Sequence, residues 1–130
     1  LTSNGYSLAT AVLFQNPIQN FAIAPNNLTD APQYCLDFLR NVPTMWDETR
    51  FIEGYPGKYV VLARRNGDKW YLAAINAMQE ELKLNLDISF MTSTDVSLYD
   101  DKKEEVQSVK VKKGTYKCTI APNGGLVLIK

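Results

Sequence analysis

Tyr59-Val60-Val61-Leu62-Ala63-Arg64-Arg65, followed by Asn66-Gly67 and by Lys69 to Asn76, is the stretch that decides the fold class. Two runs of β-branched, aromatic and aliphatic residues flank a dipeptide that favours a tight hairpin turn. The same period-two texture continues toward the C-terminus. Leu82, Leu84, Leu86, Ile88 and Phe90 alternate with polar residues, the pattern of a half-buried strand. Val96 and Leu98 begin another strand, Val106, Val109 and Val111 mark one more, and Gly114 turns the chain. Tyr116, Cys118 and Ile120 alternate against Thr115, Lys117 and Thr119, and Asn123-Gly124-Gly125 turns again before Leu126 to Ile129. This spacing predicts a mainly β fold: an antiparallel β-sandwich of about 7–8 strands with Greek-key-like connections.

On the N-terminal side of Pro43 the periodicity is helical. Ser7 to Phe14 reads as a first short α-helix with Ser7 as N-cap, ended or kinked by Pro17. Leu8, Ala9, Ala11, Val12, Leu13 and Phe14 leave it almost no polar face, so an exposed apolar patch or self-association into concentration-dependent oligomers is expected. After a loop around Pro25, Asn26 and Asn27, a second helix is expected, capped by Thr29 and Asp30 with Pro32 in its first turn. It places Ala31, Cys35, Phe38 and Leu39 on one face, with Asp37 and Arg40 opposite. The chain thus divides into a helical segment, 1–42, and a sandwich, 43–130.

The 130 residues suffice for one compact core. Lys plus Arg and Asp plus Glu number 14 each, so the balanced charge gives no reason to expect nucleic acid or an anionic membrane as partner. Histidine is absent, which removes the commonest general base and a leading metal ligand. Cys35 and Cys118 have no zinc or redox spacing; buried free thiols are the simplest reading, a disulfide the alternative. The chain begins at Leu1 without methionine, which suggests a fragment of a longer protein.

Candidate chemistry is sparse. Asp47 and Glu48 are adjacent acids, but neighbours in an extended segment point apart, and Arg50 would keep a nearby acid ionised. We expect Trp46 to plug a pocket between helix and sandwich while Asp47, Glu48 and Arg50 tie the loop. Glu80-Glu81, Glu104-Glu105 and the run Asp100 to Glu105 read as solvated turns, and Arg64-Arg65 as one anchored and one solvated arginine. Tyr71, Tyr99 and Tyr116 are candidates to stack a ring against a ligand, as are Tyr55, Trp46 and Trp70. Alternation puts Trp70 and Tyr71 on opposite faces, so one of the two should face solvent. Asn27-Leu28-Thr29 matches a glycosylation sequon, a weak motif. No calcium-loop spacing appears.

The block Val42-Pro43-Thr44-Met45-Trp46-Asp47-Glu48-Thr49-Arg50, leading through Gly54-Tyr55-Pro56-Gly57 into Tyr59 to Arg65 and Gly67-Asp68-Lys69-Trp70-Tyr71, resembles the C-terminal domain of glycoside hydrolase family 97. Leu8 to Pro17 is similar to the last helix of that family's catalytic barrel, Leu84 to Phe90 to one of its strands, and Ala121 to Gly125 to its final turn. The resemblance implies a bacterial, periplasmic or secreted parent with an N-terminal sandwich and a calcium-bearing (β/α)8 barrel that hydrolyses α-glucosidic or α-galactosidic bonds. The family's catalytic acids map onto no position here. What it implies for this chain is a non-catalytic, cofactor-free domain that packs on the barrel, with Trp46, Asp47, Glu48 and Arg50 as its domain-packing motif; the alternative is a carbohydrate-binding module that holds oligosaccharide on exposed aromatics.

Overall fold

A computed structural model of the chain describes residues 3–13, 33–43, 45–91, 94–103 and 105–130. The elements are α1 (Asn4–Leu13), α2 (Gln33–Asn41), β1 (Glu48–Tyr55), β2 (Tyr59–Asn66), β3 (Lys69–Asn76), β4 (Leu82–Asp87), β5 (Asp95–Tyr99), β6 (Gln107–Lys110), β7 (Thr115–Ile120) and β8 (Gly125–Ile129). The expected cap at Thr29 and Asp30, the sequon at Asn27, Phe14, Pro17 and Glu104 lie outside the described residues.

The strands form two unequal antiparallel sheets. Six strands run β1-β2-β3-β8-β5-β6, and β4 pairs with β7 alone. The β2–β3 hairpin keeps strict register from Tyr59↔Asn76 to Asn66↔Lys69. Its two-residue turn is Gly67-Asp68; Gly67 takes φ 60°, a backbone that glycine adopts without steric cost. Residues Val61, Ala63, Leu72, Ala74, Leu126 and Leu128 of the large sheet share one core with Leu82, Leu84, Leu86 and Ile120 of the small one. The intervening positions Tyr71, Ala73 and Val127 face the other way and pack with Leu8, Val12, Cys35 and Phe38 of the two helices. The large sheet is therefore covered on both faces, by helices on one and by the β4–β7 ribbon on the other.

Covering both faces explains where alternation fails. β3 is buried at every position from Trp70 to Ala74, and β8 from Gly125 to Leu128. Trp70 is 9% exposed and Tyr71 2%, so neither faces solvent, contrary to the expectation from alternation alone. α1 likewise leaves no naked apolar helix: Gly5, Leu8, Ala9, Ala11 and Val12 form one stripe buried against β3 and β8, with Ser7 and Thr10 half-buried beyond it. The helix can sit this low because glycines meet at the crossing. A Cβ on Gly125 would lie 2.8 Å from Tyr6 Cα and 2.9 Å from Gly5 O.

The start of α1 also corrects the cap. Ser3, not Ser7, caps the helix: its Oγ accepts from Tyr6 N at 3.1 Å, and its carbonyl accepts from Ser7 N at 3.0 Å. Asp101 completes the cap from the β5–β6 connection. Its carboxylate accepts from Gly5 N at 2.6 Å, Ser3 Oγ at 2.6 Å and Gly125 N at 3.3 Å, a favourable place for negative charge. Asp100 is 8% exposed and accepts from Lys102 N and Gln107 Nε2. The acidic run thus begins as a structural joint, while Lys102, Lys103 and Glu105 are exposed.

Candidate functional site

The approach to β1 gathers the densest set of polar contacts. The pairing Glu48↔Arg65 and Thr49↔Arg64 lays this segment along β2 as the outer strand of the large sheet. Asp47 donates its N–H to Arg65 O at 2.7 Å, and its Oδ2 accepts from Gly67 N at 2.7 Å. Asp47 thereby ties the loop to the β2–β3 turn. Glu48 lies between two arginines: Arg50 Nε donates to Oε2 at 2.6 Å and Arg65 Nε to Oε1 at 3.4 Å. The hydrogen bond from Arg50, with the second from Arg65, holds the Glu48 carboxyl below the usual carboxylate range. A carboxyl held ionised is a poor proton donor, and every close polar contact of the two acids is internal to the fold.

Arg50 has a second role. Its guanidinium lies 5.3 Å from the Trp70 ring centre and 5.0 Å from that of Phe90, and those rings meet edge to face at 5.0 Å. Of the Arg64-Arg65 pair, Arg64 has its Nε buried, whereas the Arg65 side chain is 33% exposed and held by contacts at the surface. Arg65 also donates to Gly67 O at 2.9 Å, and Arg64 sits on the helix-side face with its guanidinium 5.8 Å from the Trp46 ring. Trp46 packs edge-on against Tyr71 at 5.2 Å. Trp46 Nε1 and Arg64 Nε are both buried without an acceptor, and burial makes the Arg64 guanidinium easier to deprotonate.

The three tyrosines do not form one platform. Tyr71 is buried between Phe38 and Trp46. Tyr99 is half-buried on the same face, stacked on Tyr34 at 6.2 Å and edge-on to Phe38 at 5.1 Å. Tyr116 belongs to β7, packs against the inter-sheet core, and has its phenol pushed up by burial. Tyr71 offers no free ring face, whereas Tyr99 borders a cleft of about 430 Å³ lined also by Lys69, Asp95, Ser97 and Ser108. Tyr55, 62% exposed, flanks a separate apolar groove of about 370 Å³ with Phe51, Pro56, Val60, Ile75 and Ala77. The sequence offered Tyr55 as a candidate but not Phe51, whose exposure follows from a strand it did not reveal.

Cys35 and Cys118 form no disulfide; burial pushes Cys118 up to about 11. Among the described residues no three Cys, Asp or Glu side chains converge to hold a metal ion, and no helix is long and apolar enough to cross a membrane.

Residues 45–129 match the family described as the glycosyl-hydrolase 97 C-terminal, oligomerisation domain. The chain belongs to this family. The family 97 C-terminal domain described here is 32% identical over 132 residues to a retaining alpha-galactosidase of Bacteroides thetaiotaomicron, covering 93% of this chain and 20% of that enzyme. It is 57% identical to a crystallised beta-arabinopyranosidase, with a TM-score of 0.89 over 99% of this chain and 21% of that one. A family 97 enzyme of Pseudoalteromonas sp. strain K8, solved with acarbose, shares the fold at a TM-score of 0.71 over 98% of this chain and 22% of that one, with 18% identity. The domain thus spans about a fifth of the length of these relatives.

Proposed function

We propose that this domain packs, without catalysing, on the (β/α)8 barrel of a periplasmic or secreted family 97 enzyme that cleaves α-galactosides or β-arabinopyranosides. The observation that carries the non-catalytic reading is the state of its two best-placed acids. Asp47 closes a turn and Glu48 is clamped by Arg50 and Arg65, so neither is left to protonate or attack a sugar. The names of the relatives support the substrate class. In the L series, β-arabinopyranose has the ring configuration of α-D-galactopyranose without its exocyclic CH2OH, so the two activities differ by one group. The low identity to the acarbose-bound enzyme lends no such support to an α-glucoside. On this reading the catalytic acids and any calcium belong to the rest of the parent.

To test the packing role, the remainder of the parent is expressed alone and then mixed with this chain. Stable association and a raised melting temperature, with unchanged preference among aryl glycosides, are expected. Absence of any association rejects the packing role.

The cleft beside Tyr99 favours a second reading, in which the domain holds oligosaccharide. An amide-resonance titration with α-galactoside and maltose-series sugars decides it. Saturable shifts confined to Tyr99, Ser97 and Ser108 establish binding there; none at millimolar sugar discards it.

A further inference from the structure

We propose that the β1 edge of the large sheet, with the apolar groove beside it, is the surface through which two copies of this domain pair. The inference rests on the oligomerisation role of its family. Four large apolar side chains are strongly exposed among the described residues: Met45, Phe51, Tyr55 and Val106. Phe51 and Tyr55 lie on β1 itself, at 68% and 62% exposure, and Met45 lies just before it. β1 is an outer strand of eight residues, whereas the opposite outer strand, β6, has four. A long outer strand carrying aromatic side chains invites association unless something covers it.

The groove gives those aromatics somewhere to go. Val60 and Ile75, paired across β2 and β3, line it together with Pro56 and Ala77. Its surroundings carry both signs of charge: Lys58 is exposed on the wall, and Glu80 and Glu81 are exposed just beyond Ala77. A surface that holds an apolar projection, an apolar recess and both charges can complement itself about a two-fold axis. Phe51 and Tyr55 of one copy then enter the groove of the other. Face-to-groove packing fits better than strand addition, because register slips between Phe51 and Glu53 and Pro56 follows the strand, which interrupts a continuous ladder.

The test is the molar mass of the 130-residue chain by sedimentation across a concentration series, for wild type, Phe51→Lys and Phe51→Leu. Wild type and Phe51→Leu should dimerise. Phe51→Lys, which sets like charges near the axis, should weaken the dimer by roughly 100-fold or more. Its circular dichroism and melting temperature in the monomer should stay unchanged, since the position is exposed. A Phe51→Lys dimer as tight as wild type moves the interface elsewhere and leaves the oligomerisation role standing. A wild-type chain that stays monomeric overturns both. In that case, loss of binding to the rest of the parent in Phe51→Lys would assign the groove to the barrel instead.

Discussion

Replacing Asn76 with leucine should destabilise this domain more than any surface change, although Asn76 is a polar residue at the end of a strand. The side chain is 0% exposed. Its Nδ2 lies 2.9 Å from Glu80 O, 3.1 Å from Ile120 O and 3.2 Å from Ala121 O, and its Oδ1 accepts from Met78 N at 2.9 Å. One amide therefore joins the end of β3, the connection to β4, and the end of β7. Leucine has similar volume, so packing changes little and the loss is polar. Each net hydrogen bond contributes about 1 kcal/mol, and each buried group left unpaired costs about 1–3 kcal/mol. Counting two donor bonds and one acceptor bond, with partial rescue by water, gives a loss of about 3–5 kcal/mol. That is a large part of the ~5–15 kcal/mol typical of a domain. Asn76→Asp should be worse near neutral pH, because a carboxylate would face three carbonyl oxygens, and the deficit should shrink as acid protonates it. Urea unfolding monitored by tryptophan fluorescence measures both. A shift of less than about 1 kcal/mol for Asn76→Leu would refute the reasoning.

Gly125→Ala should undock α1, since its methyl would press on Tyr6 Cα; a loss of about 1–3 kcal/mol and faster amide exchange confined to α1 are expected, and unchanged exchange would count against the crossing described. Trp46→Phe removes a buried N–H that has no acceptor while keeping an aromatic ring against Tyr71, so its stability should fall by less than about 1 kcal/mol despite the large side chain; a loss near 3 kcal/mol would reveal an acceptor. Burial raises Cys118 from its ordinary 9.0 to about 11. A raised thiol contributes its full stability below the unfolded value, and loses it as pH climbs from about 9 through about 11. Alkylation of Cys118 at pH 9, followed by peptide mapping, should therefore be at least ~10-fold slower in the folded chain than in urea, and equal rates would contradict this burial.

The strands of the small sheet were legible because one face meets the core and the other meets water. β4, with Leu82, Leu84 and Leu86 buried and Lys83, Asn85 and Asp87 exposed, shows this most clearly. β1 was not legible. It is an outer strand whose period slips between Phe51 and Glu53, so its apolar residues never alternate cleanly. The strand order could not be read either, since β8 inserts between β3 and β5 through contacts remote in sequence. The apolar pattern of α1 is real, but period alone cannot say what covers a helix; here the sheet and α2 do. The Trp46 to Arg50 block stood out by its residue types, yet the partners that define it, Arg65, Gly67 and Trp70, come from the neighbouring hairpin. The roles of Asn76 and Asp101 were hidden because part of their bonding reaches segments remote in sequence, Asn76 to Ile120 and Ala121 and Asp101 to Gly5 and Gly125.

The central claim is that this domain supports a glycoside hydrolase without taking part in its chemistry. The most direct measurement is kcat/KM of the full-length parent on aryl α-galactoside and β-L-arabinopyranoside, for wild type and for Glu48→Gln. Turnover within about two-fold of wild type is expected, together with a lower melting temperature from the lost clamp on Arg50 and Arg65. A loss of several orders of magnitude in a protein that remains folded would place Glu48 in the reaction and contradict the central claim.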